Sequence, residues 1–203
     1  MNLIKACQCD KPFFFSMYKY KSIHKKIIVD TCAGNERDRE SAAFNMLSTN
    51  YLKTLKHVDC SPETISHVMC THLHVDHVGW NTQLIDGTWV PTFPNAEYLF
   101  VRPEFEHWAA EPQDYGPVFE DSVQPIIDAG LATVVEADHQ ITANISLELT
   151  AGHTPGHVSV VIESGNDMAL ITGDMTHHPV QFAHPEMASS ADWRQDMSTA
   201  TRF

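Results

Sequence analysis

The chain has 203 residues with 43% hydrophobic content, enough for one globular domain that buries a core without disulfide staples. Asp and Glu number 26 against 13 Lys and Arg, a formal charge of -13, and no basic block stands out, so nucleic acid is excluded as a partner class. Near the start, the aromatic run PFFFSMY (residues 12–18) is interrupted by polar residues well short of a signal-peptide core or a membrane span, so the chain reads as soluble with no membrane partner. Five cysteines without a CxxC pair fit reduced thiols and a cytoplasmic location, and Cys7 and Cys9, a lone CxC, read as incidental.

In chain order, KKIIVD ends a strand at Asp30, and Phe44, Leu47, Tyr51, Leu52 and Leu55 then recur at the spacing of an amphipathic helix. Ser61 is placed as an N-cap with Pro62 at the first helical position, and HVMCTH follows as a buried strand running into THLHVDHVGWN. PEFEHWAAE and FEDSVQPIIDAG read as helices, the second stopped by Gly130. Four strand candidates come next, LATVVEAD, ISLELTAG, HVSVVIES and MALITGD, with Gly165 and Asn166 as a hairpin turn between the last two. ADWRQDMSTATRF begins a helix at the end of the chain. The mixture predicts a layered sheet-and-helix fold with meander segments.

Three histidines and an aspartate fall within six positions, 72–77. Residues two apart on an extended segment face the same side, so His72 and His74 can address one ion, while Asp76 and His77 in the following turn can address a neighbouring position. Mixed imidazole and carboxylate donors suit zinc or a similar divalent ion, and the cluster looks built for two. Further ligands are expected at distant strand ends, where His153 in AGHTPGH and Asp174 in TGD stand. A carboxylate can bridge two cations, and a two-metal site would hold a shared hydroxide as the nucleophile.

HxHxDH at His72 to His77, His153 in GHTPGH and Asp174 in TGD resemble the metallo-β-lactamase-fold hydrolase superfamily. VDTCAGN, THLHVDHVGWN, WVPTFPNAEYLF and GDMTHHPVQFAHPE are similar to its branch of N-acyl-homoserine-lactone lactonases and methyl-parathion-hydrolase-like enzymes. The likeness starts near the strand ending at Asp30, which divides the chain into an unplaced leader, 1–23, and an incomplete hydrolase domain, 24–203. The resemblance implies an α/β (α+β) class fold, a four-layer αβ/βα sandwich with two sheets face to face. It places His72, His74 and His153 on a first metal, Asp76 and His77 on a second, and Asp174 between them, with Asp174 and Asp76 as the candidate catalytic carboxylates.

The family pattern also has a later histidine on the second metal, and the strand and helix that would carry it are expected to be missing here. His177, His178 and His184 are the nearby substitutes, with His184 far enough along to swing back, although water or a partner chain is the favoured completion. Asp30 is a candidate to orient a ligand, His157 reads as structural, and Trp80, Phe93 and Trp108 read as core. His24, His57, His67, His107 and His139 have no partner motif and read as ordinary histidines.

The function that follows is hydrolysis by a metal-bound hydroxide that opens a lactone or cleaves a related ester of a small-molecule substrate. One alternative keeps the machinery and changes the substrate to a phosphotriester or another small electrophile. The other is a truncated, catalytically silent metal-binding chain. Oligomeric state is not legible in the sequence.

Overall fold

A computed structural model describes residues 2–5, 18–21, 25–111 and 113–203. The chain divides into two compact units, one drawn from residues up to Leu99 together with Trp108–Thr133, the other from Phe100–His107 with Val134–Phe203.

In the first unit, β1 (Asn2–Lys5), β2 (Tyr18–Lys21) and β3 (Lys26–Val29) run antiparallel in succession. After α1 (Tyr51–His57) the chain returns through β4 (His67–Met69), which pairs parallel with β3. A two-stranded hairpin follows, β5 (Thr82–Ile85) and β6 (Thr88–Pro91), and then β7 (Glu97–Val101), which is parallel to β4. Helix α2 (Arg102–Ala110), most of which is counted with the second unit, then α3 (Val118–Ser122) and α4 (Gln124–Asp128) lead to β8 (Ala132–Val135), the last strand in a sheet of order β1-β2-β3-β4-β7-β8.

The interior strands of this sheet are apolar on consecutive residues, as strands covered on both faces must be. Ile27, Ile28 and Val29 of β3, Val68 and Met69 of β4 and Tyr98 and Leu99 of β7 are all buried. Because β3 and β4 are parallel, Asp30 and the segment from Thr71 leave the sheet at the same edge, where the Asp30 N–H donates to the Met69 carbonyl at 2.9 Å. Residues 2–5 and 18–21 of the leader, unplaced by sequence, form β1 and β2 beside β3. Cys7, Cys9 and His24 lie outside the described residues, and none of Cys32, Cys60 and Cys70 is in a disulfide.

Three predicted helices differ in the structure. The helix expected from Phe44 to Leu55 begins only at Tyr51, because residues 36–47 form a turn of their own. There the Met46 N–H reaches the Arg37 carbonyl at 2.8 Å, the Glu36 N–H reaches the Leu47 carbonyl at 3.1 Å, and Met46 itself takes φ +46°. The helix expected over 119–130 breaks at Val123 into α3 and α4. Pro125 has no N–H to return to the Asp121 carbonyl, and that carbonyl accepts from the Thr82 hydroxyl at 2.5 Å and from Arg37 Nη1 at 3.3 Å instead. The SPETI start is a single 3-10 turn, Pro62–Thr64, with no side-chain cap from Ser61.

The second unit holds an antiparallel meander of β9 (Gln140–Thr142), β10 (Ile145–Leu149), β11 (Val158–Ser164) and β12 (Asp167–Ile171), in the order β12-β11-β10-β9. Alternation decides its buried face: Ile145 and Leu147, Val158, Val160 and Ile162, and Ile171 point inward. The turn between β11 and β12 is the predicted pair, with Ser164 opposite Asp167 and Gly165 at φ +62°. A short helix α5 (Val180–Ala183) and the terminal α6 (Gln195–Arg202) complete this unit. No helix among the described residues is long and apolar enough to cross a membrane.

Candidate metal centre

In the first unit the cluster grows from the end of β4. Asp30, at φ +59° and 2% exposed, turns its carboxylate under the Thr71–His77 loop. Its Oδ1 accepts the Thr71 N–H at 2.8 Å, and its Oδ2 accepts the Thr71 hydroxyl at 2.9 Å. The same Oδ2 stands 3.0 Å from His77 Nδ1. A carboxylate beside Nδ1 favours the ring orientation in which Nε2 faces Asp76 Oδ2, 3.6 Å away.

His72 is fully buried, with its ring centroid 4.0 Å from that of His77 and 4.7 Å from that of His74. The structure thus brings His72, His74, Asp76 and His77 together, with His74 and Asp76 half-buried. Trp108, expected in the core, is half-buried with its ring 5.4 Å from His74, whereas Trp80 stacks on Tyr51 and Phe93 is fully buried as expected.

The loop is clamped from the β3 side. The Thr31 N–H donates to the His77 carbonyl at 2.7 Å and the Gly79 N–H to the Cys32 carbonyl at 2.6 Å. Gly79 is required here by space, since a Cβ would fall 1.9 Å from the Ala33 carbonyl carbon. The buried Arg37 guanidinium donates to the carbonyls of Gly79 and Thr82 and pairs with Asp121 at 2.6 Å. Arg39 pairs with the other oxygen of Asp121 at 2.7 Å. Burial pulls the Arg37 pKa down to about 10, against the opposing pull of Asp121.

In the second unit, His153 lies in the loop between β10 and β11 and is 2% exposed. Its Nδ1 is 3.2 Å from Asp192 Oδ1, so its Nε2 is turned toward Asp174 Oδ2, 3.6 Å away. Asp192 Oδ2 accepts the Ser198 hydroxyl at 2.6 Å and the Ser189 N–H at 2.9 Å. Burial pushes the Asp192 carboxyl up, but the hydrogen bonds from His153, Ser198 and Ser189 outweigh it and hold the pKa at about 2. Gly152, at φ +133°, lets α6 approach, since a Cβ there would meet the Ser198 nitrogen at 2.2 Å.

Asp174 follows β12 in a tight turn, and its N–H donates to His157 Nε2 at 3.0 Å. His157 Nδ1 therefore carries the proton and donates to the Thr150 hydroxyl at 2.9 Å, which makes His157 the support of Asp174. Of the three substitute histidines, only His177 approaches the cluster, its Nε2 3.5 Å from Asp174 Oδ2. Burial holds its imidazole below the ordinary histidine pKa, against the pull of Asp174. His184, the one far enough along to swing back, is exposed and meets Glu186 at 3.1 Å, while His178 accepts the Val180 N–H.

Sequence reasoning missed Asp192, because a single aspartate ahead of a helix carries no motif. The Asp86-Gly87 pair, both at positive φ, was the available signal for the β5–β6 hairpin.

Carboxylate-supported imidazoles grouped with further carboxylates, in both units of an α+β frame, are donor sets of the kind that holds divalent ions. The chain belongs to the Metallo-beta-lactamase superfamily, whose profile matches residues 24–202. An N-acyl homoserine lactonase of Bacillus cereus is 28% identical over 129 residues, covering 63% of this chain and 45% of the relative. The N-acyl homoserine lactonase AiiA of Bacillus thuringiensis subsp. kurstaki is 29% identical over 146 residues, 68% of this chain and 52% of the relative. The chain thus spans about half the length of the curated relatives it matches.

Among solved structures, the hydrolase AbOPH superposes with a TM-score of 0.75 at 25% identity, covering 93% of this chain and 65% of that one. A probable metal-dependent hydrolase from Staphylococcus aureus gives a TM-score of 0.80 at 19% identity, covering 93% and 67%. The fold is the α+β fold of this superfamily.

Proposed function

We propose that the two ligand clusters together hold a pair of divalent ions, zinc by their donor chemistry, in a hydrolase that opens a lactone or cleaves a related ester. His72, His74 and His153 would hold one ion and Asp76 and His77 the other, with Asp174 as the carboxylate they would share. One observation carries the reading. Each unit independently places a buried carboxylate on the Nδ1 side of a proposed ligand, Asp30 on His77 and Asp192 on His153, which aims the Nε2 atoms outward. The curated lactonases support the substrate class, and a dizinc quorum-quenching lactonase, AidC, solved with N-hexanoyl-L-homoserine shares the fold at a TM-score of 0.69 and 24% identity.

Two such ions, when bound, would supply Lewis acidity and bring the pKa of bound water toward about 7. The side chains supply the rest. Asp30 and Asp192 set the tautomer and direction of their histidines, and His157 pins the Asp174 backbone. Asp174, whose Oδ2 faces His153 and His177, would besides ligating relay the proton released by the attacking water to the departing alkoxide.

The test is metal content per folded chain by plasma mass spectrometry, together with base consumption on N-hexanoyl-L-homoserine lactone before and after chelation. Two ions and chelator-sensitive ring opening are expected, with Asp174→Asn losing at least about 100-fold in rate. A protein without bound metal, or one that leaves the lactone intact when metal-loaded, overturns the proposal.

A further inference from the structure

We infer that His177 is a further metal ligand, joining His153 and Asp174 on the ion they hold. The inference rests on the metal reading above and deepens it by naming a ligand that the HxHxDH, GHTPGH and TGD motifs do not include.

Three side chains of the second unit converge. His153 Nε2 and His177 Nε2 lie 3.6 and 3.5 Å from the same oxygen, Asp174 Oδ2, and the two imidazole centroids are 4.8 Å apart. These separations exceed the 2.7–3.2 Å of an N–H to oxygen hydrogen bond. They are close to the roughly 3.3–3.4 Å that separates two donors on a tetrahedral zinc with bonds of about 2.0–2.1 Å. Both distances to Asp174 Oδ2 thus fit two imidazoles sharing an ion with that carboxylate.

Asp192 also lies near this group, with ligand atoms of His153, His177 and Asp192 all within 4.8 Å of one another. Its oxygens are committed elsewhere, Oδ1 to His153 Nδ1 and Oδ2 to Ser198 and the Ser189 N–H. Asp192 thus orients His153, and Asp174 supplies the ligating carboxylate.

His177 is also held in place. Its N–H donates to Gln181 Oε1 at 2.7 Å, and Gln181, 5% exposed, anchors its own Nε2 on the Met187 carbonyl at 2.7 Å. A histidine on a mobile surface turn would lose that order, and here a buried glutamine fixes the backbone three residues after Asp174.

The experiment titrates the full chain with Zn(II) in competition with a chromophoric chelator and records the visible spectrum of the Co(II) form. His177→Ala is expected to weaken binding of the ion shared with His153 and Asp174 by roughly tenfold or more and to change the Co(II) d–d bands, while His178→Ala on the neighbouring position leaves both as they are. His177→Cys, which restores a ligand, is expected to recover affinity and add a thiolate-to-cobalt charge-transfer band. Unchanged affinity and spectrum in His177→Ala, or no charge-transfer band in His177→Cys, overturns the role of His177 while leaving the metal reading intact. A wild-type chain that binds no ion overturns both.

Discussion

Asp30 shows how much one residue of this chain contributes. It is a buried carboxylate in left-handed backbone conformation, tolerable for aspartate, and it serves Thr71 and His77 at once. Removing the charge while keeping the shape separates orientation from packing. Asp30→Asn is expected to fold and to bind Zn(II) about 10–100-fold more weakly, because an amide no longer sets a negative charge 3.0 Å from the His77 imidazole. Chelator competition measures this directly, and an affinity equal to wild type would show that the Asp30 contact only packs the loop.

At the scale of elements, the 71–82 loop is positioned by the segment after β3 and by the break between α3 and α4. Pro125 leaves the Asp121 carbonyl open to Thr82, while the Asp121 carboxylate neutralises Arg37 and Arg39, and Arg37 holds the Gly79 and Thr82 carbonyls. Two buried guanidiniums on one carboxylate make that carboxylate the weak point. Asp121→Ala leaves both cations unpaired and is expected to lower stability by about 3–5 kcal/mol, read from the urea midpoint. A change below about 1 kcal/mol would mean that water reaches the arginines. Periodicity reads FEDSVQPIIDAG as one amphipathic run; Pro125 was the sequence signal of the break, whereas the Arg37–Asp121–Arg39 network had none.

For the whole molecule, the proposed ligands come from both compact units, His72 to His77 from one and His153 and Asp174 from the other. Ions that bind only the folded chain stabilise it by mass action, by about 4 kcal/mol at a free concentration 1,000 times Kd. Chelation is therefore expected to lower the thermal midpoint by several degrees and Zn(II) to restore it, read by calorimetry. A midpoint indifferent to chelator and zinc would count against bound structural ions.

The sequence by itself located the strand that ends beside Asp30, the strand leading into the histidine cluster, which was read through His72 but stops at Met69, the hairpin at Gly165-Asn166 and the likeness to the superfamily, and it supplied the six-residue ligand proposal. Those features are local: strand alternation, turn chemistry and donor spacing are written within a few consecutive residues. Only the tertiary structure decided that Asp30 supports His77, that Asp192 supports His153 across 39 positions, and that His177 rather than His184 comes to Asp174. Such pairings depend on where parallel strands end and how loops pack, and side chains far apart in sequence carry no periodic signal of the contact they will make.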